Sequence, residues 1–389
     1  MTRITYGMIN ANVQNGIQFN AQRMDESMTQ LSTGKAIRRP SDDPVGTSSA
    51  LQMRGELSKN DQYYRNMEDG LARLSTTDTA MSTGNDALQR ARELAIQGAN
   101  DTNGANERNY IANDVQGVLE ETLAIANTNY QGDYVFSGTQ TQVPPYTEEK
   151  GTDLVRTAVD ANGRALGAVP ATVQLFDLSR TDSGTATGNP SASRIIPGTL
   201  SIPGLTEGTD YKVDYKAGTV TFQTAAAQTL AASATGIPMS FDRIRKSELD
   251  MSQNVNREVQ QGSTAAINVT SDSAFGTDAQ GTVFDSLIGL MQGLHVNSTD
   301  EIKASIQPLD NSMQNFLRAQ TLAGSRSNRV QANQTQNRDD KVTLTSEDSR
   351  IEDVDFAKVI SEFQNRQQIY QASIQVGAKV IQPTLAEYI

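Results

Sequence analysis

The placement of proline constrains this chain more than any other feature. Of eleven prolines in 389 residues, none falls in 45–143, one (Pro308) falls in 239–382, and seven crowd into 144–238. A proline inside a helix deletes a backbone hydrogen bond and collides with the preceding turn, so long helices exclude it. The pattern predicts long helices on both flanks and a turn-rich middle.

Apolar periodicity supports the flanks. From Ala50, alternating steps of three and four reach Met53, Leu57, Asn60, Tyr64, Met67, Leu71, Leu74, Asp78, Met81, Asn85, Leu88, Arg92 and Ala95, and ten of these fourteen positions are apolar. Such alternation is the seam of a coiled-coil-like rod; 45 residues at ~1.5 Å each extend roughly 68 Å. Asp43 is placed to cap the start of this helix, with Pro44 at its first position. After a loop over 98–104, a second helix presents Ile111, Val115, Val118, Thr122 and Ile125 on one face. It should end near Asn129, before the turn residues Gln131-Gly132-Asp133. The seam returns at Ile302, Ile306, Leu309, Met313, Phe316, Gln320, Ala323, Ser327 and Val330, where Pro308 is expected to bend the helix.

The extremities carry the same period. One stripe runs through Val13, Ile17, Met24 and Leu31; the other runs through Phe356, Ile360, Phe363, Tyr370, Ile374 and Ile381. A lone amphipathic helix is marginal in water, so each stripe needs a partner. The nearest in length and period is the other end of the chain, folded back against it. Val359, Ile369, Val376 and Val380 widen the C-terminal stripe beyond a two-helix contact. At ~25 cal/mol per Å² of apolar area, burying them between subunits would contribute several kcal/mol. The residues alone leave two readings open: a closed bundle docked on its own core, or an end module that completes its packing in an assembly and is partly disordered before it.

The middle reads as strands. Residues 210–215 and 219–222 alternate around Lys216-Ala217-Gly218, a hairpin signal. Residues 171–178 and 199–202 are further strand candidates, 180–193 reads as a loop, and a small hairpin is expected across 257–259 and 266–269. The expected fold is α+β: long N- and C-terminal helices paired in a coiled-coil-like rod, with a β-rich domain inserted in the middle. Its parts are a terminal assembly module (1–40 with 350–389), a helical core (41–139 with 246–349) and an outer domain (140–245).

Composition excludes several classes of function. The net charge of −12, with no long basic run, argues against nucleic-acid and anionic membrane partners. No apolar stretch spans a bilayer, and no cleaved secretory signal is visible at the N-terminus. Without cysteine and with His295 as the sole histidine, no thiolate nucleophile or Cys/His metal cage can form, and no catalytic or cofactor-binding set is expected. His295 reads as structural. Asp42 and Asp43 beside Arg38 and Arg39 read as capping and surface pairing rather than acid–base chemistry. Aromatics are only 5% of the chain, which predicts thin cores.

Several strings are similar to one known family. Leu31-Ser32-Thr33-Gly34-Lys35, Ile37 and Ser41-Asp42-Asp43-Pro44-Val45-Gly46 resemble the signature that follows the first helix of bacterial flagellin-family proteins. Asn66-Met67-Glu68-Asp69-Gly70 and Leu88-Gln89-Arg90-Ala91-Arg92-Glu93-Leu94-Ala95 continue the likeness, and Ala323-Gly324-Ser325-Arg326-Ser327-Asn328-Arg329-Val330 resembles the C-terminal counterpart. The resemblance covers roughly 1–140 and 255–389; residues 150–245 carry none. Gly132-Asp133-Tyr134-Val135-Phe136-Ser137-Gly138-Thr139 and the ending Leu385-Ala386-Glu387-Tyr388-Ile389 look most like members that form the junction layer between hook and filament, with filament flagellin as the alternative. The resemblance implies a structural protein whose terminal helices co-assemble in the flagellum, in a ring or helical layer with itself, the first hook-associated protein and flagellin. It also implies export through the flagellar apparatus, with a cytosolic chaperone masking Phe356 to Ile381 beforehand.

Overall fold

The computed structural model describes residues 6–155, 172–174, 195–214, 219–224, 227, 237–278 and 280–381. Two helices are very long: α2 (Pro44–Gly98) and, by the order of elements below, α6 (Thr299–Glu352). They are preceded and followed by α1 (Tyr6–Thr33) and α7 (Phe356–Ile381). Between them come α3 (Ala105–Ala126), eleven described strands β1–β11, and the short helices α4 (Ser271–Phe275) and α5 (Val283–His295). The proline argument holds on both flanks, except that α6 continues through Pro308 as one element. Two compact units result: residues 1–64 with 335–389, and residues 65–334.

In the first unit, α1 and α7 pair and the start of α2 meets the end of α6. Asn60 and Asn337 are both buried there and exchange side-chain amide to backbone carbonyl hydrogen bonds of 3.1 Å each way. Tyr64 accepts from Arg338 at 3.0 Å, and Asp61 pairs with Lys341 at 2.8 Å.

In the second unit, α2 buries two heptad rows. Met67, Leu74, Met81, Leu88 and Ala95 form one, all within 1% of complete burial. The other is Gly70, Thr77, Gly84, Ala91 and Gly98, a row of small residues. Side chains from elsewhere fill the space they leave: a Cβ added at Gly70, Gly84 or Gly98 would lie 2.5–2.6 Å from Ile267, Phe316 or Leu294 respectively. The expected second row sat one residue later. There Leu71 is half-buried, Asp78 is exposed, and Arg92 pairs with Asp310 at 2.7 Å.

α3 buries Ile111, Val115, Val118, Thr122 and Ile125 as expected. Its Arg108 is buried and donates to the carbonyl oxygens of Gly98, Asn100 and Asn297 and to Asn297 Oδ1 and Thr299 Oγ1, tying the end of α2 to the start of α6. The expectation of ring-poor cores fails locally. Phe136, Tyr146, Phe275, Phe284 and Phe316 form one aromatic knot with centroids 4.6–6.2 Å apart, so few rings suffice when concentrated.

A tight hairpin, β1 (Asn129–Tyr130) and β2 (Asp133–Tyr134), turns at Gln131-Gly132. The following Val135-Phe136-Ser137 is fully buried. Gly138, at φ +58°, lies so close to the Met251 and Gln253 carbonyls that a Cβ would sit 2.5 and 2.8 Å from them. The ribbon β3 (Tyr146–Val155) with β7 (Ile237–Lys246) is ten residues long and was not foreseen, because charged residues break its alternation. Glu149 on one strand answers Arg243 and Arg245 on the other at 3.0 and 3.5 Å. The expected hairpin is β5 (Tyr211–Asp214) with β6 (Thr219–Phe222), and β4 (Thr172–Gln174) adds to β6. Ile195, Leu200, Ile202, Tyr211, Val213, Val220, Phe222 and Phe241 form its core. Residues 199–202, expected as a strand, make only one bridge, Ser201 to Ser240. The loop read at 180–193 lies outside the described residues. β8 (Asn256–Gln260) pairs with β9 (Ser263–Ala266): the first strand of the small hairpin stands where expected, but the second lies at 263–266 rather than 266–269, because the chain turns at once after Gln260; β10 (Gly276–Thr277) pairs with β11 (Gly281–Thr282).

Candidate assembly surface at the chain ends

α1 and α7 lie antiparallel. Asn20 donates to Ser373 Oγ at 2.7 Å, Arg366 donates to the Arg23 carbonyl at 2.8 Å, and the ring of Phe356 stands 3.6 Å from where a Gly34 Cβ would be. Val13, Ile17, Met24 and Leu31 are partly buried along α1, and Ser27 is fully buried. On α7 the inward positions are Val359, Phe363, Arg366, Tyr370, Ser373 and Gly377. Gly377 marks the closest approach, since a Cβ there would lie 2.9 Å from Ile17 Cδ1.

The remaining apolar side chains stay exposed on two flanks of that contact: at 3.6 residues per turn, Phe356, Ile360 and Ile374 share one flank and Ile369 and Val376 the other. Phe356, Ile360, Ile369, Ile374 and Val376 are 44–57% exposed, as are Met8, Phe19 and Met28 on α1 at 54–60%. The face α7 turns to α1 is thus displaced from the expected one: Phe363 and Tyr370 point in, Phe356 touches only the end of α1 at Gly34, and Ile360 and Ile374 do not face it. The Ile381 side chain lies outside the described residues. Small Ser373 and Gly377 admit α1 closely, and the large side chains flank that contact. A cluster of exposed Ile, Val and Phe on one helix is uncommon on a self-sufficient surface.

Where the pair joins the rest of its unit, the sequence signature acquires a physical role. Gly34, at φ +69°, ends α1 with a hydrogen bond to the Gln30 carbonyl. Asp42 Oδ2 accepts from the amides of Arg39 and Arg38 at 2.9 and 3.2 Å, and these bonds hold its pKa below the usual carboxylate value. Asp43 Oδ1 accepts from the amides of Gly46 and Val45 at 2.9 and 3.1 Å, capping α2 above Pro44. Both aspartates are thereby occupied by backbone.

Four residues the sequence did not single out for this role meet nearby. Lys35 Nζ lies 2.6 Å from Asp353 and 3.2 Å from Glu352, and Arg54 Nη2 lies 2.5 and 2.6 Å from the two Glu352 oxygens. The hydrogen bond from Lys35 holds the Asp353 carboxyl below its usual pKa and, reciprocally, raises that of Lys35. A lowered carboxyl pKa stabilises the fold above the unfolded value of 3.8 and ceases to do so as pH falls through the folded value. A raised lysine pKa stabilises below 10.5 and fails above it. The contact should therefore persist across the neutral range and be lost below 3.8. A carboxyl NMR titration placing the Asp353 midpoint at or above that value would contradict it.

The expected rod positions fall as follows. Met67, Leu74, Met81, Leu88, Leu309, Phe316 and Val330 are buried; Leu57, Tyr64, Leu71 and Met313 are half-buried. His295 is half-buried in the last turn of α5 beside Gly198, and burial pushes its pKa down. Arg326 donates to Asn254 Oδ1 and the Asn268 carbonyl inside its own unit.

Comparison with known proteins gives a consistent result. Residues 4–141 match the bacterial flagellin N-terminal helical region and residues 306–389 match the C-terminal helical region. The C-terminal match starts at 306 and leaves out 255–305, which the string resemblance had included. The chain is 24% identical to a flagellin of Clostridium tyrobutyricum over 387 residues, 98% of this chain and 99% of that one. It is 32% identical to the flagellar hook-associated protein 3 of Escherichia coli K12 over 139 residues, 34% of this chain and 44% of that one. It thus spans less than half the length of that relative. A solved structure of a flagellar hook-associated protein from Vibrio parahaemolyticus shares the fold, with a TM-score of 0.50 and 16% identity over 80% of this chain and all of that one.

Proposed function

Because the chain belongs to the bacterial flagellin family and is a structural component of the flagellum, we propose that it forms the junction layer between hook and filament through co-assembly of its terminal helices. The observation that carries this reading is the α1–α7 pair, which leaves Phe356, Ile360, Ile369, Ile374 and Val376 outward. Burying those two flanks against neighbouring copies removes apolar area from water without unfolding anything. The proposed neighbours are further copies of the chain, the first hook-associated protein on one side and flagellin on the other. The same exposed side chains are what an export chaperone would cover in the cytosol before the chain leaves through the flagellar export apparatus to the cell exterior.

Filament flagellin is the second reading, favoured by the full-length likeness to the clostridial flagellin. The higher identity, 32% over a 139-residue stretch, to hook-associated protein 3 supports the junction. Seeded polymerisation separates them. Added to filament fragments, a junction protein should stop after a short layer and then accept flagellin; long filaments of this chain alone would assign it to the filament.

A further inference from the structure

In the first unit the end of α1, the end of α6 and the start of α7 meet the third turn of α2 around one buried carboxylate. Glu352 sits in the last turn of α6 with its side chain 9% exposed. Arg54 of α2 grips both its oxygens at 2.5 and 2.6 Å, and Lys35, just past the end of α1, reaches it at 3.2 Å. Lys35 also holds Asp353, the residue that follows α6, and Ser349 donates to the same carboxylate. The backbone repeats the connection. The Ala36 amide donates to the Glu352 carbonyl at 2.6 Å, and the Val354 amide donates to the Gly34 carbonyl at 3.0 Å. Segments 34–43 and 353–355 are where the chain passes between the α1–α7 pair and the adjoining ends of α2 and α6. The two segments are therefore stitched together at the place where the pair would otherwise pivot.

We propose that Glu352 is the centre of a conformational latch, a positioning residue that uses Arg54 and Lys35 to hold the α1–α7 pair in one pose against the ends of α2 and α6. The charges favour a two-state device. Two cations face two carboxylates, so the closed cluster is neutral. Withdrawing Arg54 leaves a buried carboxylate short of compensation, which strongly favours moving it into water. Moving Glu352 carries its own carbonyl, and with it the Ala36 hydrogen bond. Arg54 is itself 55% exposed, so the grip opens to solvent without disturbing a core. An assembly built from stacked terminal helices needs them presented at one angle. That consequence alone rests on the function proposed above; the latch does not.

The test is amide hydrogen exchange on the full-length monomer. In Arg54→Ala and Glu352→Ala, exchange at Ala36 and Val354 should rise at least tenfold, while amides around Asn60 and Asn337 keep their rates. The double variant should exchange no faster than Glu352→Ala alone. Unchanged exchange at Ala36 and Val354 would overturn the latch, and so would uniform acceleration through α2 and α6, which would mean mere support of the fold. Should Glu352→Ala lose its helical circular dichroism, Glu352→Gln, which keeps the shape and removes the charge, decides by the same two amides. Assembly on seeds is scored separately: accelerated exchange with normal polymers would leave the latch standing and remove its link to assembly.

Discussion

Removing residues 356–389 is expected to leave a soluble, folded protein that neither caps hooks nor supports filament growth. The deletion takes away α7 whole, and with it the exposed side chains of Phe356, Ile360, Ile369, Ile374 and Val376. It also strips α1 of the face on which Val13, Ile17, Met24 and Leu31 rest, and an unsupported helix of that length is marginal in water. The second compact unit, residues 65–334, contains none of the deleted residues and should keep its melting transition. The loss should be complete rather than graded, because every neighbouring copy meets the same missing surface. Electron microscopy of hooks from cells carrying only the truncated chain reads the outcome. Normal filaments on those cells would end the assembly reading.

The second large effect lies in the rod. Phe316 is fully buried, packs edge-on against Phe275 at 5.3 Å between centroids, and its ring occupies the space above Gly84. Phe316→Ala removes a ring from the aromatic knot and opens a cavity against α2, at an expected cost of about 4 kcal/mol. For a unit of this size that corresponds to a fall in Tm of roughly 10 °C. Gly84→Ala strains the same contact from the other side, by about 1–3 kcal/mol, since its Cβ would meet Phe316 Cε2 at 2.6 Å. In the Phe316→Ala background that methyl group enters the new cavity, so the two costs should fall short of additivity. Strict additivity in a double-mutant cycle would show that Gly84 and Phe316 do not touch as described.

Much of the helical architecture was legible because it depends on local chemistry. Proline exclusion, the Asp43-Pro44 start and the row through Met67, Leu74, Met81 and Leu88 act over a few residues and read directly from the chain. The ribbon of β3 and β7 was not legible. Its alternation is interrupted by Glu149, Arg243 and Arg245, which satisfy one another only once two strands 94 residues apart are adjacent. The small-residue row of α2 was also missed. A search for apolar side chains passes over Gly70, Gly84 and Gly98, whose meaning lies in the Ile267, Phe316 and Leu294 side chains that fill them. The sites divide in the same way. The terminal stripes were visible as period, but which half of the α7 stripe turns inward depends on how closely Ser373 and Gly377 let α1 approach.

By itself, the order of residues determined that this chain has long helical flanks, a strand-rich insert, apolar ends and no thiol or histidine pair with which to do chemistry. Periodicity, proline and composition are properties of neighbours along the chain, and they act before the chain has any shape. The tertiary structure alone decided that Glu352 would find Arg54 and Lys35, 298 and 317 residues before it in the chain. It also decided which apolar side chains would be left facing outward. Those outcomes belong to pairs of distant residues, and a pair of distant residues has no energy until folding has brought its members within reach.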